Sequence, residues 1–244
     1  MMNKIKTLTL RNLKEIIRDP LSLVFCMGFP VVMLLLMQII FASIKPVPEN
    51  FKLENYAVGI CIFGYTFAMM FTAMLIASDK NSEFISRIYM SPIKKSDYLL
   101  SYVLSGVPIV FCQTLIFFII ATALGLERSP NQLVAIVYLI PSMLFYVVLG
   151  VLLGTLCSTE KQAGPISSII ISATSMLGGV FMPIDGLGVF SKINGLLPFS
   201  HTTKIASGAL VGDYSCIYPH IFWVLGWTAF VFLITLFIRK LAKH

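Results

Sequence analysis

Apolar and polar positions fall in long blocks along this chain instead of alternating residue by residue. Apolar runs occupy residues 21–41, 56–77, 98–126, 132–157, 164–182 and 219–238. A helix of about 20 apolar residues crosses roughly 30 Å of hydrocarbon, so the pattern predicts six transmembrane helices. Gly28 and Pro30 predict a bend in the first run, and Gly106 and Pro108 allow one in the third. Pro141 lies inside the fourth run, and Gly164–Pro165 opens the fifth.

The segments between these runs carry patterns of their own. In residues 1–19, Ile5, Leu8, Leu13, Ile16 and Ile17 can share one face, while Lys4, Lys6, Arg11, Lys14 and Arg18 take the rest. That is the signature of a helix lying in the membrane interface. Asp19 followed by Pro20 restarts the chain as N-cap and first helical residue. Residues 78–97 form a polar stretch between the second and third runs. There Phe84, Ile85, Ile88 and Tyr89 make an apolar stripe at helical spacing. The reading is a short amphipathic helix over 79–91, capped by Asp79 and ended by Pro92, with Ser96 and Asp97 capping the next helix. It is too short to cross a membrane, which suits an element that receives force from a soluble partner.

Residues 183–218 are too apolar for a free loop and too broken by Gly and Pro for a span. Val189, Phe190, Ile193, Leu196 and Leu197 form one apolar cluster. Ile205, Ala206, Ala209 and Leu210 form another after a Ser200 cap. Irregular backbone at membrane depth needs cover from protein or a water-lined cavity, so two short helices dipping into, or lying on, the membrane surface are expected.

Composition narrows the function. The chain is 57% hydrophobic and 12% charged, against about 25% charged in soluble domains. The net charge of +7 therefore reads as topology and not as a nucleic-acid footprint. Thirteen Lys and Arg fall on the side of both termini and the 78–97 stretch, against five on the other, which orients both termini to the cytoplasm. The first apolar run is too long, and lacks the small-residue cleavage site, for a removable signal peptide. Cys26, Cys61, Cys112, Cys157 and Cys216 show no metal spacing and read as small apolar residues. No Asp, Glu, Lys or Arg falls within the six runs, and the one histidine there, His220, sits at the mouth of the last. Ion-coupled carriers and intramembrane enzymes need ionisable groups or ligands at depth. No GxxxxGK[ST], GxSxG or HExxH occurs either. Energy for any pumping should thus arrive through a partner.

Three segments carry a family resemblance: RNLKEIIRDPLSLVFCMGFP, SEFISRIYMSPIKKSDYLLSY, and GGVFMPIDGL followed by LLPFSHTTKIASGALVGDY. In this order the chain resembles the ABC-2 type permeases of ATP-binding-cassette transporters over most of its length. Arg87, Ser91, Pro92, Tyr98 and Leu99 match the usual pattern of the second segment, while Glu83 and Phe84 stand where many members carry a Gly-Thr or Gly-Phe pair. The resemblance implies an all-α membrane protein with six spans, an interfacial N-terminal helix, a cytoplasmic coupling helix and a re-entrant segment before the last span. It implies Glu83, Phe84, Arg87, Ile88, Ser91 and Pro92 as the ATPase-coupling set, and Gly178, Gly179, Pro183 and Pro198 as markers of the re-entrant and exit region.

It further implies two copies of a separate ATPase subunit, which would hold the ATP and Mg2+, and a second permease chain, identical or related. This chain would bind no cofactor of its own, touch membrane lipid and no nucleic acid, and sit in the plasma membrane. The expected activity is export of an amphipathic small molecule such as a drug, antibiotic or peptide. Export of a polysaccharide or lipid-linked precursor is the alternative within the class, and a passive channel or scaffold without an ATPase is the alternative outside it.

Overall fold

The computed structural model describes residues 2–44, 52–90, 93–180 and 189–241, with backbone alone for residues 2, 3, 42, 86, 87, 89, 189, 190 and 241. Among the described residues every regular element is helical. The elements are α1 (Met2–Arg18), α2 (Pro20–Leu23), a π-helical turn (Val24–Gly28), α3 (Phe29–Ala42), α4 (Leu53–Lys80), α5 (Glu83–Met90), α6 (Lys95–Ala123), α7 (Pro130–Tyr138), α8 (Ile140–Leu156), α9 (Glu160–Leu177), α10 (Val189–Leu196), α11 (Pro198–Val211) and α12 (Tyr214–Leu241).

Among the described residues five stretches are long and apolar enough to cross a membrane: Pro20–Phe41, Leu53–Lys80, Lys95–Ala123, Pro130–Leu156 and Tyr214–Lys240. The fifth predicted run, α9, is not among them. Ser167, Ser168, Ser172, Thr174 and Ser175 dilute its apolar character, and the helix begins four residues before Gly164, taking in Glu160 and Lys161. The early start has a local cause. The Gln162 side chain accepts the backbone N–H of Ser158 at 3.1 Å, an N-terminal reach-back that turns the expected loop into helix.

α4 is the axis of the fold. It packs against α8, α9, α6, α3 and α11, and it is buried along most of its length. The closest approach is to α8, where Gly150 and Gly154 lie four residues apart on one face. A Cβ on Gly154 would stand 2.7 Å from the Ala73 carbonyl oxygen. Small residues at this spacing let two backbones meet in a membrane, where packing replaces the hydrophobic driving force. On another side, Phe25 and Phe29 of the first span interleave with Phe63 and Phe67, with ring centroids of Phe29 and Phe67 4.9 Å apart. The burial of Cys26, Cys61 and Cys157 fits their reading as small apolar residues.

The Asp19–Pro20 start forms as read: Asp19 accepts the N–H of Leu21 at 3.1 Å, and Pro20 is the first helical residue. The predicted irregularity at Gly28 and Pro30 is the π-helical turn. Pro30 has no N–H to give the Cys26 carbonyl, and the ladder widens there, with Phe29 N–H bonding Val24. The fourth run breaks at Leu139, between α7 and α8, and Pro141 lies in the first turn of α8, where a missing N–H costs nothing. Residues 183–218 do contain two short helices, α10 and α11, within their described part. The Ser200 cap is a correction: Leu197 holds the N-cap position and Pro198 the first turn, while the Ser200 hydroxyl donates to the Asn194 carbonyl at 3.0 Å and closes α10.

Candidate functional site

The short helix between the second and third spans is observed as α5, eight residues long, within the 79–91 expected. Its start differs from expectation. Asp79 and Lys80 complete α4 instead of capping α5, because their side chains find partners on other helices. Lys80 Nζ donates to the carbonyls of Thr155 and Cys157, the latter at 2.9 Å, and Asn81 Nδ2 reaches the Ser158 carbonyl at 2.7 Å. A cation thus closes the negative C-terminal end of α8. Ser96 and Asp97 likewise do not cap α6. Lys94 holds that position without a side-chain bond, and Ser96 and Asp97 lie in the first turn.

Asp79 is 4% exposed and is the centre of a polar joint. Arg11 of α1 grips its carboxylate with both guanidinium nitrogens, Nη2 to Oδ1 at 2.7 Å and Nη1 to Oδ2. Bidentate Arg–carboxylate pairs fix geometry as well as charge. The Tyr102 hydroxyl of α6 donates to the same carboxylate, and the Tyr98 hydroxyl lies 2.9 Å from that of Tyr102. Asn12, beside Arg11, donates to Ser101 of α6 at 3.1 Å. From the far end of the chain, the buried guanidinium of Arg239 lies 4.0 Å from the centre of the Tyr98 ring, and the Arg239 carbonyl accepts Lys95 Nζ at 2.9 Å. Helices α1, α4, α6 and α12 therefore meet at one place.

α5 sits on this joint. Ile85 and Ile88, three residues apart, are buried, and Phe84 lies under Arg11, with the guanidinium carbon 4.0 Å from the ring centre. Glu83 and Met90 are exposed. Of the predicted coupling set, Phe84 and Ile88 thus anchor the helix, and Glu83 is on its outer side. The Arg87 side chain, Ser91 and Pro92 lie outside the described residues. Burial works against the Arg11 charge, yet the hydrogen bond and attraction of Asp79 outweigh it and raise its pKa. Burial, with Asp79 nearby, raises the Glu15 carboxyl in spite of Arg11. Among the described residues the joint offers neither a nucleophile poised beside a base nor a metal-ligand cluster. What it does is hold helices together: through Phe84 against Arg11, α5 rests on the place where α1, α4, α6 and α12 meet.

The second predicted group lies at the other end of α4. Gly178 and Gly179 end α9 in a Schellman motif: Gly179 takes φ +66, its N–H bonds Met176, and Val180 N–H bonds Ser175 at 3.2 Å. The Gly178 carbonyl accepts the Thr203 hydroxyl of α11 at 2.8 Å, and Val180 lies against Gly59 near the start of α4. Pro198 opens α11, and Pro183 lies outside the described residues. His220 hydrogen-bonds to His201, with the two Nδ1 atoms 2.7 Å apart.

Sequence reasoning missed the joint itself. Arg11 was one basic residue on an amphipathic helix and Asp79 a cap, 68 positions apart. The available hint was Asp79 as a lone carboxylate at the edge of an apolar run, facing Tyr98 and Tyr102 at helical spacing.

No curated protein matches the chain. A family model described as ABC-2 type transporter matches residues 3–211. With apolar helices long enough to span a membrane, the chain belongs to the ABC-2 type transporter family, as a multi-pass membrane permease of a family that implies association with an ATP-binding-cassette ATPase.

Proposed function

We infer that this chain is the membrane-spanning subunit of an exporter that moves an amphipathic small molecule, such as a drug, antibiotic or peptide, out of the cell. Two copies of a separate ATPase, carrying ATP and Mg2+, dock from the cytoplasm, and a second permease chain completes the pathway. Both termini face the cytoplasm, α9 serves as the sixth span within the assembly, and α10–α11 form a re-entrant segment. α5 is the coupling helix. The observation that carries this reading is the seat of α5 on the Arg11–Asp79 joint, with Phe84, Ile85 and Ile88 inward and Glu83 outward. A helix that only linked two spans would have no need of a buried ion pair beneath it.

In this mechanism ATP-driven closure of the ATPase displaces α5. The joint passes the displacement to α1, α4, α6 and α12 together, because burial makes its ion pair costly to break. The chain moves as packed helices and performs no bond chemistry. The test is reconstitution with the co-purified ATPase. Replacing Glu83 and Arg87 with residues of opposite charge is expected to abolish stimulated ATP hydrolysis while the permease stays inserted and folded. Unchanged stimulation would remove α5 from the coupling path. Substrate flux in ATP-free vesicles would point to a passive channel, and selective binding of glycolipids over amphipathic drugs would move the substrate to the lipid-linked class.

A further inference from the structure

α1 presents three different faces at 3.6 residues per turn, the second nearly opposite the first and the third adjoining the second. One face packs on α6 through Leu8 and Asn12, which are 7% and 1% exposed. The next exposes Leu10 and Ile17 at 46% and 53%, in continuity with Leu21 and Val24 of the first span at 58% and 62%. Exposed aliphatic residues leading into a transmembrane helix place that face against hydrocarbon. The third face is cationic. It borders a cleft of about 680 Å³ lined by Thr7, Leu10, Arg11, Lys14, Glu15 and Arg18.

The charges in this cleft do not balance. Arg11 is held by Asp79 and Glu15, while the side chains of Lys14 and Arg18 have no hydrogen-bond or ion-pair partner among the described residues. They are four residues apart on one face, a spacing that brings two cations to one anion. Leu10 lines the same cleft and belongs to the hydrocarbon-facing side. The site thus joins an unneutralised cationic pair to an apolar wall at the membrane boundary. A free phosphate would leave the apolar wall unused, and an acidic protein segment would have no reason to sit beside hydrocarbon. We propose that this cleft binds the anionic headgroup of a phospholipid from the leaflet α1 meets, with Lys14 and Arg18 on the phosphate and Leu10 along the start of the acyl chain. Such a lipid fixes the depth of α1, and so the height of the Arg11–Asp79 joint, in the membrane.

The test uses the full chain in nanodiscs of phosphatidylcholine with a minority of phosphatidylglycerol. Lipid retained through delipidation is counted by native mass spectrometry. The native chain is expected to retain phosphatidylglycerol selectively. The Lys14→Gln/Arg18→Gln variant should lose that preference by about tenfold, since each basic residue at an anionic surface contributes substantially to lipid attraction. Lys192→Gln, an exposed cation far from the cleft, should leave it intact. Both variants change exposed side chains, and helicity by circular dichroism checks their folding. Retained preference in the double variant would overturn the proposal. So would an equal loss in Lys192→Gln, which would mean nonspecific charge attraction. Unchanged lipid preference with loss of the co-purified ATPase would overturn it too, and would give this face to the protein partner. That last outcome leaves the α5 docking test independent, because neither variant touches α5.

Discussion

The two ends of α4 are held together by different physics. At the α5 end, one buried carboxylate ties α1, α4 and α6 through Arg11 and Tyr102, and Arg239 stacks from α12. At the other end, Gly178–Gly179 stop α9 and Pro198 starts α11, and the elements are joined by neutral contacts. Thr203 donates to the Gly178 carbonyl, and Trp223 and Trp227 both donate to the Leu196 carbonyl at 3.1 Å. A buried ion pair is costly to break one partner at a time. A hydrogen bond between neutral groups contributes only about 1 kcal/mol net. The charged end is therefore harder to pull apart than the neutral end. The coupling role proposed for α5 requires that difference.

The largest expected effect comes from breaking the charged end. Asp79→Ala removes the buried partner of Arg11 and should cost about 2–3 kcal/mol of stability, less than the roughly 3–5 kcal/mol for a fully buried pair, because Arg11 is partly exposed and keeps Glu15. Thermal unfolding in detergent measures it. The double variant Arg11→Met/Asp79→Leu should recover much of that stability but not ATPase coupling, which separates the mechanical role from the structural one. A double variant that couples normally would make the joint a matter of packing alone.

At the neutral end the effects shrink. Gly179→Ala forces a side chain into the left-handed region at φ +66 and should cost about 1–2 kcal/mol, read by the same unfolding experiment. Coupling at α5 should survive it. Loss of ATPase stimulation at unchanged helicity would mean that the two ends are less separable than the contacts indicate.

The smallest effect is a pH dependence. Burial, partly offset by the bond to the Gly195 carbonyl, lowers the His201 pKa from its ordinary 6.5. The groups facing it are His220, Trp223 and Lys204. A lowered folded value means that the unfolded chain takes up the proton first. The contribution is therefore fully present above about pH 6.5 and is lost as pH falls through the lower folded value. Both tryptophans of the chain, Trp223 and Trp227, are at this end, so their emission should shift on acidification over that window. His201→Gln should flatten the response. An unchanged response in that variant would assign it to another group.

The sequence was most legible where a signal is local. The Asp19–Pro20 start needs only its own neighbours, and of the stripe Phe84, Ile85, Ile88 and Tyr89, Ile85 and Ile88 are buried and Phe84 half-buried, while the Tyr89 side chain lies outside the described residues. It was less legible where two local rules compete. Gly164–Pro165 looked like a helix start, yet Gln162 reaches back to Ser158 and begins α9 earlier. The fourth run was read as continuous with Pro141 inside it, while the helix breaks at Leu139, before the proline. The close packing of Gly150 and Gly154 on α4 was written in the sequence as GVLLG but needed the neighbouring helix to acquire meaning.

The sequence alone determined that the chain crosses a membrane repeatedly, that it carries a short polar-flanked helix between the second and third spans, and that it brings no ionisable chemistry to the middle of its apolar runs. These follow from composition and periodicity, which the cost of unsatisfied backbone groups in hydrocarbon converts into helices. Only the tertiary structure decided which charges meet. Asp79 and Arg11 are 68 residues apart, and nothing local selects one cation over its neighbours on α1. The packing of α1 on α6 and the extension of α4 by one turn bring them together, and burial then makes that pairing decisive by removing the water that would otherwise have satisfied both.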